Sequence, residues 1–377
     1  MNNAIVLGGG IAALAASYGL RQAGVVTACL LGGPGATALS SGALDGGQPG
    51  LAAQDVLSFC AELGLFAEPS SSVLVATRLG VLRYARARDG GILNVLPLAG
   101  RRVGIPRLPR LGWDADWLAR SLNESPICAA QATVFVAFSV KVSFGEQASR
   151  LSAIDFSALV QQQREPLVGA LRDASVVENL AGCLLPPACF LEAQQASEWS
   201  SELGIAVGET LSGVGETAGY RFERARNGLL ERLGVKVHAG YASGVRATDE
   251  KVTVLTPDCE FSADVAVLAT GGWVSGGVRL SDTNSVELSY ELSATSGLSI
   301  SLHGRPFSAS AAWGADVGSL GLGELSQIGL LPLVGHRPTR IVAAGDASAS
   351  GKRTLGAAIE SGLAAAARLT AAFSETP

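Results

Sequence analysis

AIVLGGGIAALAA, at Ala4–Ala16, sets an apolar run, three glycines and an Ala-rich stretch in immediate succession. Ala4–Leu7 reads as a buried strand, and Ile11, Leu14, Ala15 and Tyr18 recur at helical spacing. Gly8, Gly10 and Ala13 fill the three positions of GxGxxG/A, with Gly9 as an extra glycine. In that pattern the first glycine permits a tight turn and the second lets the backbone approach a phosphate. The third small residue lets the helix pack on the strand. The helix N-terminus then faces an anion, which suits the pyrophosphate of a dinucleotide. Val25–Leu31 supplies a second strand.

Working outward, RIVAAGDASASGKRTLGAAIESGLAAA at Arg340–Ala366 repeats the theme. It reads as a strand Ile341–Ala344, a Gly345-Asp346 turn, and a long helix from about Leu355 with Gly356 in its first turn. The Asp346 carboxylate is suited to accept hydrogen bonds from ribityl hydroxyls. Between Gly234 and Gly272 the segments VKVHAG, VRATDEKVTVL and ADVAVLATGG read as a β-meander and then a buried strand. That strand ends in Thr270, Gly271 and Gly272, which return the chain to the nucleotide. Turns so arranged resemble those by which two-dinucleotide-fold flavoproteins hold FAD. In such proteins a loop of small and hydroxylic residues runs beside the flavin, and Thr37, Ser40, Ser41 and Gly42 stand in that place here. One usual element is missing: the second strand ends in Leu31, Gly32 and Gly33, with no acid for the adenosine ribose. Backbone groups of the Gly32–Gly35 loop, Gly33 among them, must hold it otherwise. That weakens the case for NAD and leaves FAD, or alternatively FMN.

The expected fold class is α/β: a Rossmann-like FAD/NAD(P)-binding domain of the GR2 type with a discontinuous α+β cap. The expected flavin domain comprises residues 1–75, 226–275 and 336–377, and the cap or substrate domain 76–225 and 276–335. Of the 377 residues, 16% are charged and 48% hydrophobic, with mean hydropathy +0.32. So lean a surface suggests a large core, and a partner covering part of the outside. A net charge of −5 argues against nucleic acid as a main ligand. No apolar run reaches the roughly 18 residues that a membrane span needs, and a cytoplasmic location is expected. The six cysteines form no CxxC and no histidine pair has ligand spacing, so no metal site is expected.

Residues 78–110 hold eight arginines and a single acid, Asp89, a local net charge of +7. Guanidinium forks suit phosphate and carboxylate, so this segment could receive an anionic substrate or an acidic partner. Arg83, Arg86 and Arg221 are the preferred anion contacts. Oxidising an alcohol requires a base for the hydroxyl proton. Of His238, His303 and His336, the best placed is His303, beside Gly304 and Arg305.

Longer motifs add a family resemblance: SSGALD at Ser40–Asp45, LGVLRYARA at Leu79–Ala87, and RRVGIPRLPRLGWDADWLARSL at Arg101–Leu122. To these are added LLPPACFLE at Leu184–Glu192 and the block Gly208–Gly240. With them the chain resembles the second flavoprotein subunit of the anaerobic glycerol-3-phosphate dehydrogenase. That resemblance implies a flavin subunit joined to a flavin-dehydrogenase subunit and a membrane-attached iron–sulfur subunit. Together they would oxidise glycerol 3-phosphate to dihydroxyacetone phosphate and pass electrons to quinone. The chain would thus be membrane-associated only through a partner. It departs from the family at Gly208–Arg221, which is rich in Gly, Thr and Glu where proline is expected. Two other readings stand beside it: a flavoprotein acting on an amine or hydroxy acid, and a non-catalytic flavin-binding assembly or relay subunit.

Overall fold

The structure is a computed structural model. It describes residues 3–33, 35–45, 53–67, 72–272, 275–280, 286–293, 296, 298–302, 305–306, 328–332, 340–348 and 354–374. The chain divides into two compact units: Met1–Thr37, Gly47–Phe59 and Arg226–Pro377 in the first, Ala38–Gly46 and Cys60–Ala225 in the second.

The first unit is built on a five-stranded, wholly parallel sheet. Its strands, in chain order, are Asn3–Leu7, Val26–Leu31, Lys236–Ala239, Val265–Leu268 and Ile341–Ala343. Numbered in that order they lie 3-2-1-4-5 across the sheet, the doubly wound Rossmann order. Residues 4–7 and Val265–Leu268 are buried runs, as strands covered on both faces must be. The helix Ile11–Gln22 packs against the C-terminal helix Leu355–Ser374. Small residues permit the close approach: a Cβ on Gly19 would come 2.8 Å from the Ala366 Cβ, and one on Gly362 would strike the Ala12 carbonyl. An antiparallel meander, Gly244–Ala247, Val252–Leu255 and Glu260–Ala263, joins the same unit.

Two expectations are corrected here. Lys236–Ala239 is the edge of the parallel sheet and no part of the meander, and His238 there lies against the Phe261 ring with centroids 4.5 Å apart. The described residues of 276–332 also group with the first unit rather than with a cap. The reason is strand pairing: Glu291–Leu292 extends the meander sheet, and Leu330 bridges Ser348 beside the last strand. In the other direction, Ala38–Gly46 and 60–75 group with the second unit.

The second unit, expected as α+β, contains a parallel sheet of its own beside antiparallel ribbons. Its four strands are Arg102–Arg107, Val134–Ser139, Gly182–Leu185 and Ala206–Glu209, joined through helices and ordered 2-1-3-4. Phe156, Leu167, Trp199 and Phe190 pack one face, and Leu118, Leu122, Ile105 and Leu184 build a second cluster. Val73–Ala76 and Leu82–Ala85 form a separate hairpin. Among the described residues no helix is long and apolar enough to cross a membrane.

Candidate functional site

In a doubly wound sheet, ligands bind outside the carboxyl ends of the strands where the order reverses. In the first unit that point lies between strands Asn3–Leu7 and Val265–Leu268, and the turns after both are glycine-rich. Gly8 has φ +134°, and a Cβ there would run into the Ala269 carbonyl. The Gly8 N–H donates to Leu30 O at 2.9 Å. A Cβ on Gly9 would run into the Gly33 carbonyl, and one on Gly10 would come 3.3 Å from Thr37 Oγ1. Three consecutive glycines therefore let neighbouring backbone approach the turn as no larger residue would.

Gly10 is the N-cap of the helix Ile11–Gln22 and has no side chain to cap it. Thr37 Oγ1 accepts the Ile11 N–H at 3.0 Å instead. The next two first-turn donors, on Ala12 and Ala13, belong to the set that a helix cannot satisfy within itself. Arg226, 6% exposed, adds a positive charge: its Nη1 donates to Gly9 O at 3.0 Å. Beneath the turn, burial pushes the Cys29 thiol up to about 12. A neutral, inert side chain thus lies below the place where an anion would sit.

The other two turns reach the same sheet end. Gly271 has φ +81°, and a Cβ on Gly272 would come 3.0 Å from Asp346 O. Gly345, at φ +60°, is so placed that a Cβ would come 2.5 Å from the Ala12 Cβ, and its N–H donates to Ser361 Oγ at 3.0 Å. Asp346 is half-buried and Gly356 is buried. Thr270 Oγ1 pairs with the Tyr290 hydroxyl at 3.4 Å, and burial raises that phenol to about 12. Gly8, Gly9, Gly10, Ala13, Gly33, Thr37, Thr270, Gly271, Gly272, Gly345, Asp346 and Gly356 all stand in the first unit. The side-chain-free turn Gly8–Gly10 and the unsatisfied first-turn donors of the helix fit a dinucleotide pyrophosphate.

The remaining candidates stand in the second unit or outside the described residues. Ser40 Oγ accepts the Gly42 N–H at 3.2 Å, Gly42 has φ +87°, and Ser41 O accepts the Ser212 N–H at 3.0 Å. His303 and His336 lie outside the described residues.

Arg221 is corrected. It is 2% exposed, and its Nε donates to both Asp89 oxygens at 2.7 and 2.8 Å while Nη1 donates to Glu209 Oε2 at 2.8 Å. A fork so buried, with Nε and Nη1 held by two carboxylates, is closed to a substrate anion. It is a core cation, which sequence alone concealed because Asp89 is 132 residues away. Two carboxylates share this single cation, and burial holds the Glu209 carboxyl above its ordinary value.

Half of the eight arginines in the basic segment are ion-paired locally. Arg83 pairs with Asp45, Arg78 with Glu216, Arg102 with Glu178 and Arg107 with Asp116. Arg88 and Arg110 donate to backbone carbonyls. Four of the eight positive charges are thus matched by carboxylates of the second unit, and none of the eight arginines is buried. Among the described residues no group of three or more His, Cys, Asp and Glu is placed to hold a metal.

Comparison with family models finds no match, and neither does comparison with curated proteins. Comparison with solved structures finds similarity to flavoenzymes. A structure of CtdE in complex with FAD is 8% identical with TM-score 0.29, covering 72% of this chain and 38% of that one. The Diels-Alderase PyrE3 of pyrroindomycin biosynthesis is 12% identical with TM-score 0.38, covering 100% of this chain and 67% of the other. Cyclohexylamine oxidase from Brevibacterium oxydans IH-35A is 12% identical with TM-score 0.35, covering 99% and 100%. This chain spans less than half the length of CtdE, and its Rossmann-like sheet stands on its own strand order and turns.

Proposed function

We propose that this protein is an FAD-dependent oxidoreductase of the glycerol-3-phosphate dehydrogenase kind, acting on a small anionic alcohol within a complex. The observation that carries the reading is the convergence of three turns, Gly8–Gly10, Thr270–Gly272 and Gly345–Asp346, on the carboxyl end of one 3-2-1-4-5 sheet. In this reading the N–H groups at the start of the helix Ile11–Gln22 hold the pyrophosphate, with Arg226 reinforcing the positive potential. Asp346 accepts hydrogen bonds from the ribityl chain. Bound FAD supplies the hydride acceptor, at its N5 position. The N-terminus of the helix Leu355–Ser374, which follows this turn, would favour negative charge in front of it.

The substrate anion is assigned to the basic segment, where it would exchange with Asp45 in the part-exposed pair at Arg83 and meet Arg86. Removal of the alcohol proton is assigned to His303. The 16% charged content supports a partner subunit that takes the electrons onward. An amine or hydroxy acid substrate is the second reading, because nothing in Arg83's pairing with Asp45 selects a phosphate.

The test is the visible spectrum of the anaerobic purified protein before and after addition of glycerol 3-phosphate. Flavin absorption that bleaches supports cofactor and substrate class together, and extraction of the chromophore distinguishes FAD from FMN. Absorption that persists with this substrate but bleaches with an amine or 2-hydroxy acid selects the second reading. Absorption that no substrate bleaches, with a co-purifying partner, supports a relay subunit. A colourless protein that neither flavin reconstitutes overturns the proposal.

A further inference from the structure

The second strand, Val26–Leu31, runs out at the place where a doubly wound nucleotide fold carries an acid for the adenosine ribose. Here Gly32 and Gly33 follow, and the reason lies in the neighbouring strand. Lys236–Ala239 pairs in parallel with that strand, Ala239 opposite Leu31, and the Gly240 N–H donates to Leu31 O at 3.0 Å. Gly240 then takes φ +137°, a conformation that favours glycine, and the chain turns Tyr241 back over the end of the second strand. A Cβ on Gly32 would run into the Tyr241 ring, with Cε1 only 2.6 Å away, and the Tyr241 hydroxyl lies 3.5 Å from the place of a Cβ on Gly33. A side chain at position 32 would have to displace the ring from this position. Tyr241 is nevertheless 73% exposed. It rests on bare backbone and leaves the rest of its surface to solvent, an arrangement that hides little apolar area.

We infer that Tyr241 is the adenosine platform of the dinucleotide site, its aromatic face replacing the missing carboxylate. This rests on the FAD reading above. An acid at the strand end recognises the ribose through its hydroxyls. A ring on a double glycine recognises the adenine through stacking, which every purine face allows. The chain would thereby select the adenosine half of FAD by surface rather than by charge.

The test is titration of the full-length apoprotein with FAD and, separately, with FMN, which lacks adenosine, following quenching of flavin fluorescence. Tyr241→Ala is expected to weaken FAD about tenfold, the scale of one base–aromatic stack, and to leave FMN unchanged. Tyr241→Phe is expected to keep FAD within about threefold of the parent, because the ring carries the contact. Circular dichroism of both variants confirms the fold. Unchanged FAD affinity in Tyr241→Ala overturns the proposal, and so does an equal loss for FAD and FMN. If the parent apoprotein binds neither flavin, the FAD reading itself fails, and this inference with it.

Discussion

Two parallel sheets in one chain reach opposite outcomes at the same topological position. Each has a point where the strand order reverses, between Asn3–Leu7 and Val265–Leu268 in one, between Arg102–Arg107 and Gly182–Leu185 in the other. After the first pair come Gly8–Gly10 and Thr270–Gly272, whose glycines let neighbouring backbone approach closely and put no side chain in front of the sheet. After the second pair come Leu108-Pro109 and Pro186-Pro187. Leu108, Phe138, Phe144 and Phe156 fill that end as core, with Arg110 lying over the Phe156 ring at 5.5 Å. Strand order offers a crevice, and the residues of the turns decide whether it stays open. The second sheet has spent its crevice on stability.

The contrast can be broken most directly at Gly9. Gly9→Val, colliding with the Gly33 carbonyl, is expected to abolish flavin retention, read from the visible spectrum of the purified variant. Flavin bound at parental stoichiometry would remove the glycine turn from the account. The next largest effect belongs to the second unit. Arg221→Met strands Asp89 and Glu209 without their cation and should cost about 3–5 kcal/mol in urea unfolding. The pH dependence of Glu209 has a definite sign. Its carboxyl is raised in the fold, so its contribution is complete below the unfolded value of 4.5 and is lost as pH rises through the folded value. Glu209→Gln should remove that part of the slope, as urea midpoints between about pH 4 and 7 would show.

Leu108→Ala should cost about 2–5 kcal/mol as a core truncation while leaving FAD affinity unchanged. A matching loss of FAD would mean that the filled crevice also serves the cofactor. The smallest expected change is Thr37→Val, which leaves the Ile11 N–H buried without its acceptor. About 1–3 kcal/mol of stability should go, visible in thermal unfolding of the first unit.

The legibility of the sequence follows the same contrast. Gly8, Gly10 and Ala13 were readable because backbone constraints write themselves as glycine and alanine at fixed spacing. The return strand before Thr270 and the turn at Gly345–Asp346 were readable for the same reason. Of the second sheet only the alternation Val134, Val136, Phe138 was readable as a strand, since its other short strands are followed by Leu108, Pro186 and Thr210, which carry no such punctuation. Nor was the role of Arg221 readable: a charged residue looks the same in sequence whether it faces a substrate or two buried carboxylates. Arg226 and Tyr241 were missed because each acts on a turn that is distant in sequence and adjacent only in the folded sheet.

The position of the opening strand has a consequence for the order in which the chain can be built. Asn3–Leu7 needs Val265–Leu268 as its neighbour, and Asn3 bonds Asp264 across 261 residues. At about 5–20 residues per second, the ribosome makes that partner only after an interval on the order of ten seconds or more. Residues 38–46 and 60–225 emerge first and can complete the second unit while the opening strand still has one bare edge. Nascent chains arrested before residue 265 should therefore be cut by protease within 3–31 and resist it within 102–209. Equal protection of both stretches would show that the first unit does not wait.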